Sequence, residues 1–328
     1  MRNLVSVSDM SLKWWESAYS RCCDIIERPG DYIDSCRGKI MASLFYEPST
    51  RTSFSFQAAV LKLGGSFIGF SDPMGSSVSK GETLADTIKT VSGYCDTIVI
   101  RSPQEGAAGA AALYSDCPIV NAGDGGHYHP TQTLTDLTTI AQKRGGIKDL
   151  RVGLCGDLKH GRTVHSLVSA LAMFEGISYS LISPKELSMP DYVLDEMRIS
   201  CRDFTETERL DEAIPELDVL YMTRIQRERF LSAAEYRRLK NVYILTPGLL
   251  KPARKNLLIM HPLPRVGEIT QDVDNDPRAV YFEQARYGMF IRMALLFELL
   301  NLPRKSPQLP ENIAAGTKCE NPACVTSS

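Results

Sequence analysis

Three hydroxyl side chains surround one arginine in the stretch EPSTRTSFSF, which spans residues 47–56. A proline breaks the extended chain before the hydroxyls, and an apolar pattern of helical spacing follows them. Ser49, Thr50 and Thr52 are therefore predicted to lie at a helix N-terminus, where free backbone N–H groups and the helix dipole favour an anion. Arg51 adds a guanidinium fork that suits phosphate oxygens. Since capping alone needs one hydroxyl, the stretch predicts a phosphate-binding bend.

A second bend, HPTQ, covers residues 129–132. Pro130 suits the first position of a helix, which makes His129 the predicted cap and places Gln132 in the first turn. A lone His-Pro pair is usually a structural cap. Next to the phosphate-binding bend, His129 becomes a candidate hydrogen-bond donor to a polarised carbonyl.

Further cations occur in two other loops. Lys80 lies in the Ser/Gly-rich loop SSVSKGET, where a lysine is usually solvated but could close over an anionic ligand. The loop GDLKHGRT, residues 156–163, is one residue away from the nucleotide-binding pattern G-x-x-x-x-G-K-[ST], with Arg162 in place of the lysine. Arginine does not replace that point charge, so a nucleotide hydrolase is disfavoured. The simpler interpretation is that Arg162 and Arg224 are two guanidinium groups that bind carboxylates.

These loops follow apolar runs of strand length, which alternate with amphipathic helical patterns. The predicted strands are KIMASLFYE, SFIGFS, DTIVIRS and CPIVNAG in the first half, and LRVGLCGD, ISYSLISP, LDVLYMTR, VYILT and NLLIMHP in the second. The alternation predicts the α/β class: two doubly wound domains, each a parallel sheet flanked by helices. Ligands of such sheets bind beyond the carboxyl ends of the strands. We therefore expect an active site in the cleft between the domains.

Three helices between these strands are predicted from apolar residues at helical spacing. The residues are Phe54, Ala58 and Leu61 in the first helix, Leu84, Ile88 and Val91 in the second, and Leu134, Leu137, Ile140 and Ala141 in the third.

The domain boundary is predicted near residue 145, where AQKRGGIKDL has the glycine pair and polar composition of a joint. The first domain would then cover residues 1–145, completed by a closing helix at about 284–302. The second would cover residues 146–283. Residues 303–328 are polar and proline-rich, which predicts a loose tail.

Bulk composition sets further limits. The 328 residues are 43% hydrophobic and 23% charged, and the net charge of −2 argues against a nucleic-acid binder with a broad basic surface. The nine cysteines include no Cys-x-x-Cys pair, which favours reduced thiols in the cytosol. A zinc site at Cys319 and Cys324 would need two more ligands, which the tail lacks. With no signal-peptide or membrane-span pattern, we expect a soluble cytoplasmic protein.

From the N-terminal helices to about Leu302 the chain resembles the aspartate carbamoyltransferase family, the catalytic polypeptides of pyrimidine synthesis. The motifs that carry the resemblance are FYEPSTRTSFSFQAA, SKGETLADT, RSPQEGAA, NAGDGGHYHPTQTLTDL, GDLKHGRTVHSL, YMTRIQRER and HPLPRVGEI. The resemblance implies attack of the L-aspartate amine on carbamoyl phosphate. It also implies that no metal, cofactor or covalent intermediate takes part, and that the first domain binds carbamoyl phosphate and the second L-aspartate.

The same resemblance assigns roles to individual residues. The phosphate would be held by Ser49, Thr50, Arg51 and Thr52. The carbamoyl oxygen would face Thr52, Arg101 and His129, and its amino group Gln132. L-Aspartate would be bound by Arg162, Arg224, Gln226 and Lys80. The backbone carbonyls of Leu263 and Pro264 would receive the carbamoyl and amine groups, and Glu47 would orient the aspartate-binding arginines.

Two of these residues would act across a subunit boundary. Lys80 and a serine before it match residues that the family donates from a neighbouring subunit, which implies a cyclic homotrimer. The serine would contact the phosphate of carbamoyl phosphate. Ser76 is the first choice for it from the spacing to Lys80, with Ser77 as a rival.

Two alternatives remain. An ornithine carbamoyltransferase would share the STRT and HPxQ motifs, but the HPLP turn here has no cysteine, which the ornithine enzymes carry, and Arg162, Arg224 and Gln226 suit a second carboxylate. An inactive scaffold should have lost arginines or the loop lysine, all of which are present.

Overall fold

The structure is a computed structural model that describes residues 2–71, 80–200, 202–227, 230 and 232–304. It consists of two compact units. Unit 1 contains the residues up to Leu134 and those from Gly288 onwards, and unit 2 contains Thr135–Tyr287. The boundary predicted near residue 145 lies later in the chain than this division, and the predicted domain limits stay a prediction.

Unit 1 is built on a parallel four-stranded sheet in the order β2-β1-β3-β4. Its strands are β1 (Ile40–Phe45), β2 (Ser66–Phe70), β3 (Thr97–Ser102) and β4 (Ile119–Asp124). Its helices are α1 (Leu12–Glu27), α2 (Thr50–Lys62), α3 (Leu84–Ser92) and α4 (Ala107–Tyr114). Every residue of β3 and β4 is buried, as expected for strands covered on both faces.

The two edges of this sheet differ. Leu4 pairs with Val120 and covers the edge formed by β4. At the other edge β2 is mostly exposed, with Phe67 37% and Ile68 39% exposed. An exposed apolar edge strand is a surface that proteins usually cover.

The spacing of Phe54, Ala58 and Leu61 predicted helix α2 correctly, and the helix begins at Thr50, four residues before the first of these apolar residues. Its core-facing residues are different ones, among them Phe56, Ala59 and Val60. Phe54 is 63% and Leu61 55% exposed. Helix α2 therefore carries an apolar stripe on the face that its own unit does not cover.

Unit 2 is built on a parallel five-stranded sheet in the order β7-β6-β5-β8-β9. Its strands are β5 (Arg151–Cys155), β6 (Ser178–Ile182), β7 (Phe204–Thr207), β8 (Val219–Met222) and β9 (Leu258–Met260). Its helices are α6 (Arg162–Leu171), α7 (Asp191–Ile199), α8 (Leu210–Ala213) and α9 (Ala233–Leu239). Two further helices, α5 (Pro130–Arg144) and α10 (Tyr281–Leu299), each have residues in both units.

Most predicted elements are confirmed, but one predicted strand is wrong and one strand was missed. VYILT forms no strand: its Leu245 makes a single bridge to Ile269. Conversely β7, whose sequence is FTET, was not predicted. Leu134, Leu137, Ile140 and Ala141 on α5 are all buried, as their spacing indicated. No helix among the described residues is long and apolar enough to span a membrane.

Candidate active site

In unit 1 the candidate residues lie at the carboxyl ends of three adjacent parallel strands. Glu47 and the STRT bend follow β1, Arg101 is the second-last residue of β3, and His129 follows the turn after β4. Because parallel strands end at the same edge of the sheet, these groups are brought to one side of the unit.

The STRT bend forms the N-terminus of α2. Ser49 is the N-cap residue, with extended φ and ψ of −157° and 91°, and its side chain makes no capping hydrogen bond. Thr50, Arg51 and Thr52 form the first turn of the helix. The hydroxyl of Ser49 therefore does not serve the ordinary capping role, and the first N–H groups face the region where an anion would bind.

Arg101 is buried, with 8% of the residue exposed, and its guanidinium donates hydrogen bonds to two acceptors. Its Nη1 donates to the carbonyl of Ala122 at 3.0 Å, and its Nη2 donates to Oε1 of Glu47 at 3.0 Å. Among the described residues its buried Nε finds no acceptor. Glu47 was expected to orient the aspartate-binding arginines, but its recorded ion pair is with Arg101, and the expected role stays a prediction.

His129 precedes α5 as predicted, with Pro130 at the first helical position. Its carbonyl accepts from the N–H of Gln132 at 2.9 Å, and its Nδ1 lies 3.4 Å from Oγ1 of Thr131. The imidazole is 5% exposed, whereas Gln132 is half-buried. The predicted neighbours His129 and Gln132 therefore share one helix start.

The turn before His129 is ordered by a buried carboxylate that sequence analysis missed. Asp124, 2% exposed, accepts from Gly106 N at 3.0 Å, Asn121 Nδ2 at 3.0 Å and Tyr128 N at 2.9 Å. Three hydrogen bonds to this one carboxylate hold the loop in place.

Lys80 is exposed and lies shortly before α3. Ser76 and its rival Ser77 lie outside the described residues.

In unit 2 the candidates also follow adjacent strands. Arg162 is the first residue of α6 after β5, and Arg224 and Gln226 follow β8. The side chain of Gln226 donates from Nε2 to the carbonyl of His160 at 3.2 Å. The two predicted aspartate-binding loops are therefore joined directly, which the sequence did not indicate.

Polar side chains of unit 2, one of them fully buried, hold the loop after β5 in place. Asp157, fully buried, accepts from the backbone N–H of His160 at 3.0 Å. Nε2 of His165 donates to the carbonyl of Leu158 at 2.7 Å, and burial lowers the pKa of this imidazole. A neutral His165 keeps one N–H for that carbonyl and one acceptor, which the hydroxyl of Tyr192 reaches at 3.1 Å.

Gly156 is required where β5 ends. Its φ is 121°, and a Cβ there would lie 2.4 Å from the carbonyl oxygen of Thr223. Only glycine lets the two loops after β5 and β8 approach so closely.

The predicted turn with Leu263 and Pro264 follows β9. Leu263 has a φ of 50°, and its N–H donates to Nδ1 of His261 at 2.8 Å. Glu268 accepts from Nε2 of His261 at 2.7 Å. Burial opposes ionisation of Glu268, but hydrogen bonds from His261 and Gly267 outweigh it and lower the pKa of this carboxyl to about 2.

Unit 1 thus offers an uncapped helix start, a buried guanidinium and an imidazole, which together can bind a phosphate and polarise a carbonyl. Unit 2 offers two guanidinium groups and an amide, which can bind carboxylates. Among the described residues no group of three or more His, Cys, Asp and Glu side chains is arranged to hold a metal ion.

Two family models match the chain. Residues 2–142 match the model described as aspartate/ornithine carbamoyltransferase, carbamoyl-P binding domain. Residues 148–299 match the model of the Asp/Orn binding domain of the same family. Between them they cover most of the chain.

Known proteins agree with these matches. An aspartate carbamoyltransferase catalytic subunit from Clostridium novyi (strain NT) is 54% identical over 301 residues, which is 92% of this chain and 98% of the relative. The corresponding subunit from Clostridium botulinum (strain Langeland / NCTC 10281 / Type F) is 52% identical, with the same coverage.

Two solved structures share the fold. The catalytic subunit of M. jannaschii aspartate transcarbamoylase has a TM-score of 0.86 and 44% identity, and the match covers 92% of this chain and 98% of that chain. The Trypanosoma cruzi enzyme in complex with carbamoyl phosphate and aspartate has a TM-score of 0.86 and 38% identity, with 91% and 96% covered. The chain therefore belongs to the aspartate/ornithine carbamoyltransferase family, on the branch of the aspartate carbamoyltransferase catalytic subunits.

Proposed function

We propose that the protein transfers the carbamoyl group of carbamoyl phosphate to the amine of L-aspartate. The products are N-carbamoyl-L-aspartate and phosphate, and the reaction belongs to de novo pyrimidine synthesis in the cytoplasm. The observation that carries this proposal is the start of α2, where Ser49 makes no capping bond and the first helical N–H groups lie beside Arg51 and Thr52.

The groups of unit 1 suit carbamoyl phosphate. The hydroxyls and N–H groups from Ser49 to Thr52 would hold the phosphate, with Arg51 as a fork. Arg101 and His129 would donate to the carbamoyl oxygen together with Thr52, and Gln132 would contact the carbamoyl amino group. The Nε of Arg101, which has no acceptor among the residues that the structure describes, supports this role. A buried guanidinium N–H without an acceptor is costly unless a ligand supplies one.

The groups of unit 2 suit an amino acid with two carboxylates. Arg162 and Arg224 would each bind one carboxylate, and the bond from Gln226 to the carbonyl of His160 links their two loops. L-Ornithine, with an ammonium on its side chain, would leave one guanidinium without an acceptor. Such a mismatch disfavours the ornithine substrate strongly.

The reaction needs no acid–base pair of side chains. The amine of L-aspartate attacks the carbamoyl carbon, the bond from that carbon to the phosphate oxygen breaks, and the departing phosphate takes the amine proton. No covalent intermediate forms with the protein. Most of the rate would come from holding two anions together and from donors aimed at the developing oxyanion.

A homotrimer completes the proposed site. Lys80 is exposed on its own unit, and it would reach the neighbouring subunit's site with Ser76. The outward stripe of α2 and the exposed edge β2 support association, because they leave apolar side chains uncovered. The exposed apolar residues in the described part of unit 1 include Ile33, Phe54, Leu61, Phe67, Ile68 and Tyr94.

The test is formation of carbamoyl aspartate by the purified chain, with L-ornithine as the control substrate. Arg51→Ala and Lys80→Ala chains are then assayed separately and after mixing. We expect aspartate-dependent product from the wild type, little from either variant alone, and weak activity when they are mixed, because some mixed trimers contain one intact site.

Two other outcomes have definite meanings. Product without recovery on mixing would retain the reaction but exclude the shared role of Lys80. No product with L-aspartate would overturn the proposed function.

A further inference from the structure

A buried histidine and a buried glutamate beside the Leu263–Pro264 turn have no role in the function proposed so far. His261 is 1% and Glu268 7% exposed. Nε2 of His261 and Oε1 of Glu268 lie 2.7 Å apart. A desolvated pair of this kind is stable only where its hydrogen bonds are satisfied, and both side chains have further partners in the turn.

The pair holds both sides of the turn. Before the prolyl bond, Nδ1 of His261 accepts the N–H of Leu263 at 2.8 Å. After it, Oε2 of Glu268 accepts the N–H groups of Val266 at 3.0 Å and Gly267 at 2.9 Å. The bond between the two side chains joins these anchors into one unit.

The contacts determine where the proton of the imidazole lies. Because Nδ1 accepts from Leu263, Nε2 must carry the proton that it donates to Glu268. The carboxylate of Glu268 is ionised, since it accepts three hydrogen bonds. With this arrangement of the imidazole, each of its two nitrogens has a partner.

The turn requires support because its own backbone has few donors. Pro262 and Pro264 have no N–H, so Leu263 has the only backbone N–H among these three residues. Leu263 also lies in the left-handed region at a φ of 50°. A leucine stays there only when its surroundings fix it.

The pair is itself anchored to the core of unit 2. The N–H of His261 donates to Oε1 of Gln284 at 3.0 Å, and Nε2 of Gln284 donates to Asp136 at 2.6 Å. The hydroxyl of Tyr221 donates to the second oxygen of Asp136 at 2.9 Å. Asp136, Tyr221 and Gln284 are all at most 1% exposed, so the turn is tied to a rigid frame.

We propose that His261 and Glu268 are positioning residues that set the direction of the Leu263 and Pro264 backbone carbonyls toward the carbamoyl and amine groups of the reactants. This inference rests on the proposed function, in which those carbonyls meet the reacting groups. Since a misplacement of about 1 Å can cost on the order of 100-fold in rate, losing this support should lower kcat far more than it weakens substrate binding.

Two substitutions at one position separate the two bonds of the imidazole. In His261→Asn, the amide oxygen can accept the Leu263 N–H two residues on, as asparagine does in ordinary turns. In His261→Gln, the longer side chain can reach Glu268 but leaves the Leu263 N–H without its acceptor. Tyr243→Phe is the control, because it removes one partly buried hydrogen bond of unit 2, at 3.1 Å to the carbonyl of Glu208, in which neither His261 nor Glu268 takes part.

We expect His261→Gln to lower kcat roughly 10- to 100-fold with a small change in the KM for L-aspartate. His261→Asn should recover most of that loss, and Tyr243→Phe should match the wild type. Equal loss in the Asn and Gln variants, or no loss in Gln, would overturn the inference. An inactive wild type would instead contradict the proposed function.

A second variant protects the test against loss of folding. In Glu268→Gln the amide can serve His261 or the two backbone N–H groups, but not both. It should lower kcat by a smaller factor than His261→Gln, because the amide retains one of these two sets of partners, while far-ultraviolet circular dichroism shows a folded chain. A folded Glu268→Gln enzyme with wild-type kcat would also overturn the inference.

Discussion

The ion pair between Arg101 and Glu47 shows how the contribution of such a pair to stability depends on its burial. The side chain of Arg101 is 9% exposed and that of Glu47 35%, with 3.0 Å between Nη2 and Oε1. At the protein surface such a pair contributes little, because water solvates both partners equally well. Here the guanidinium is already buried and its Nε has no acceptor in the described part of the chain, so its remaining partners matter more.

Glu47→Ala should therefore lower the free energy of unfolding by about 1–3 kcal/mol, because it leaves a buried guanidinium N–H without an acceptor. Urea unfolding at one fixed protein concentration measures the change. Glu47→Gln, which keeps an acceptor oxygen, should lose less. Asp195→Ala removes an ion pair with Arg198 whose side chains are 64% and 57% exposed, and it should change nothing measurable; an equal loss in both Ala variants would contradict the argument.

Glu268 makes stability depend on pH in a defined direction. Its carboxyl has an ordinary pKa of 4.5 and a lowered pKa of about 2 in the folded chain. The folded state therefore binds this proton less readily than the unfolded state. The stabilisation is complete above the unfolded pKa of 4.5 and is lost as the pH falls toward 2.

The difference in unfolding free energy between the wild type and Glu268→Gln should thus shrink by about 1 kcal/mol between about pH 6 and about pH 3.5. Urea unfolding of both chains across this range measures it. A difference that stays constant, or grows at low pH, would show that Glu268 does not titrate as its hydrogen bonds require.

At the scale of elements, helices α1 and α2 both begin with a serine at the N-cap position, but only the serine of α1 makes a capping hydrogen bond. Ser11 caps α1 in the ordinary way, since its side chain accepts from the N–H of Trp14 at 3.2 Å. Ser49 has the same position on α2 but makes no such bond. The two serines therefore form a matched pair.

Ser11→Ala should cost about 1 kcal/mol of stability, the usual value of a helix cap, whereas Ser49→Ala should cost much less. Ser49→Ala should instead weaken the binding of inorganic phosphate, and Ser11→Ala should leave it unchanged. Urea unfolding and isothermal titration calorimetry measure the two quantities. A Ser49→Ala chain that loses stability but not phosphate affinity would make this serine an ordinary cap.

The same elements show what the sequence could predict. Spacing identified α5, because four apolar residues on one face must be buried. VYILT was wrongly predicted as a strand because Tyr243 and Leu245 are buried in alternation, as in a strand. The backbone of Leu245 instead makes a single bridge, through hydrogen bonds with Glu268 and Thr270. Strand β7 was missed because FTET is largely polar, as suits an edge strand.

The residues of the candidate active site could likewise be predicted only in part. Arginines, hydroxyls and a histidine at strand ends could be recognised by residue type and position alone. Asp124, His261 and Glu268 could not, because a single polar residue in a loop shows no periodicity. Their roles depend on partners far apart in the chain, such as Gly106 for Asp124 and Gln284 for His261.

At the scale of the whole molecule, the outward stripe of α2 supplies a physical reason for association. Leu61 is 55% and Phe54 63% exposed, and helix α2 packs beside the exposed edge strand β2. Burying this stripe against a second copy would stabilise the assembly at roughly 25 cal/mol per Å² of apolar surface. If Lys80 acts in a neighbouring site, association and activity must change together.

Leu61→Glu should therefore dissociate the proposed homotrimer and lower activity in parallel, because it places a charge in an apolar interface. Light scattering after size-exclusion chromatography gives the mass, and the carbamoyl aspartate assay gives the activity. Raising the protein concentration should restore both, since association follows mass action. Val242→Glu, at a residue of unit 2 that is 44% exposed, should change neither. A Leu61→Glu chain that is monomeric yet fully active would show that each chain completes its own site, and a trimeric, fully active one would place the interface elsewhere.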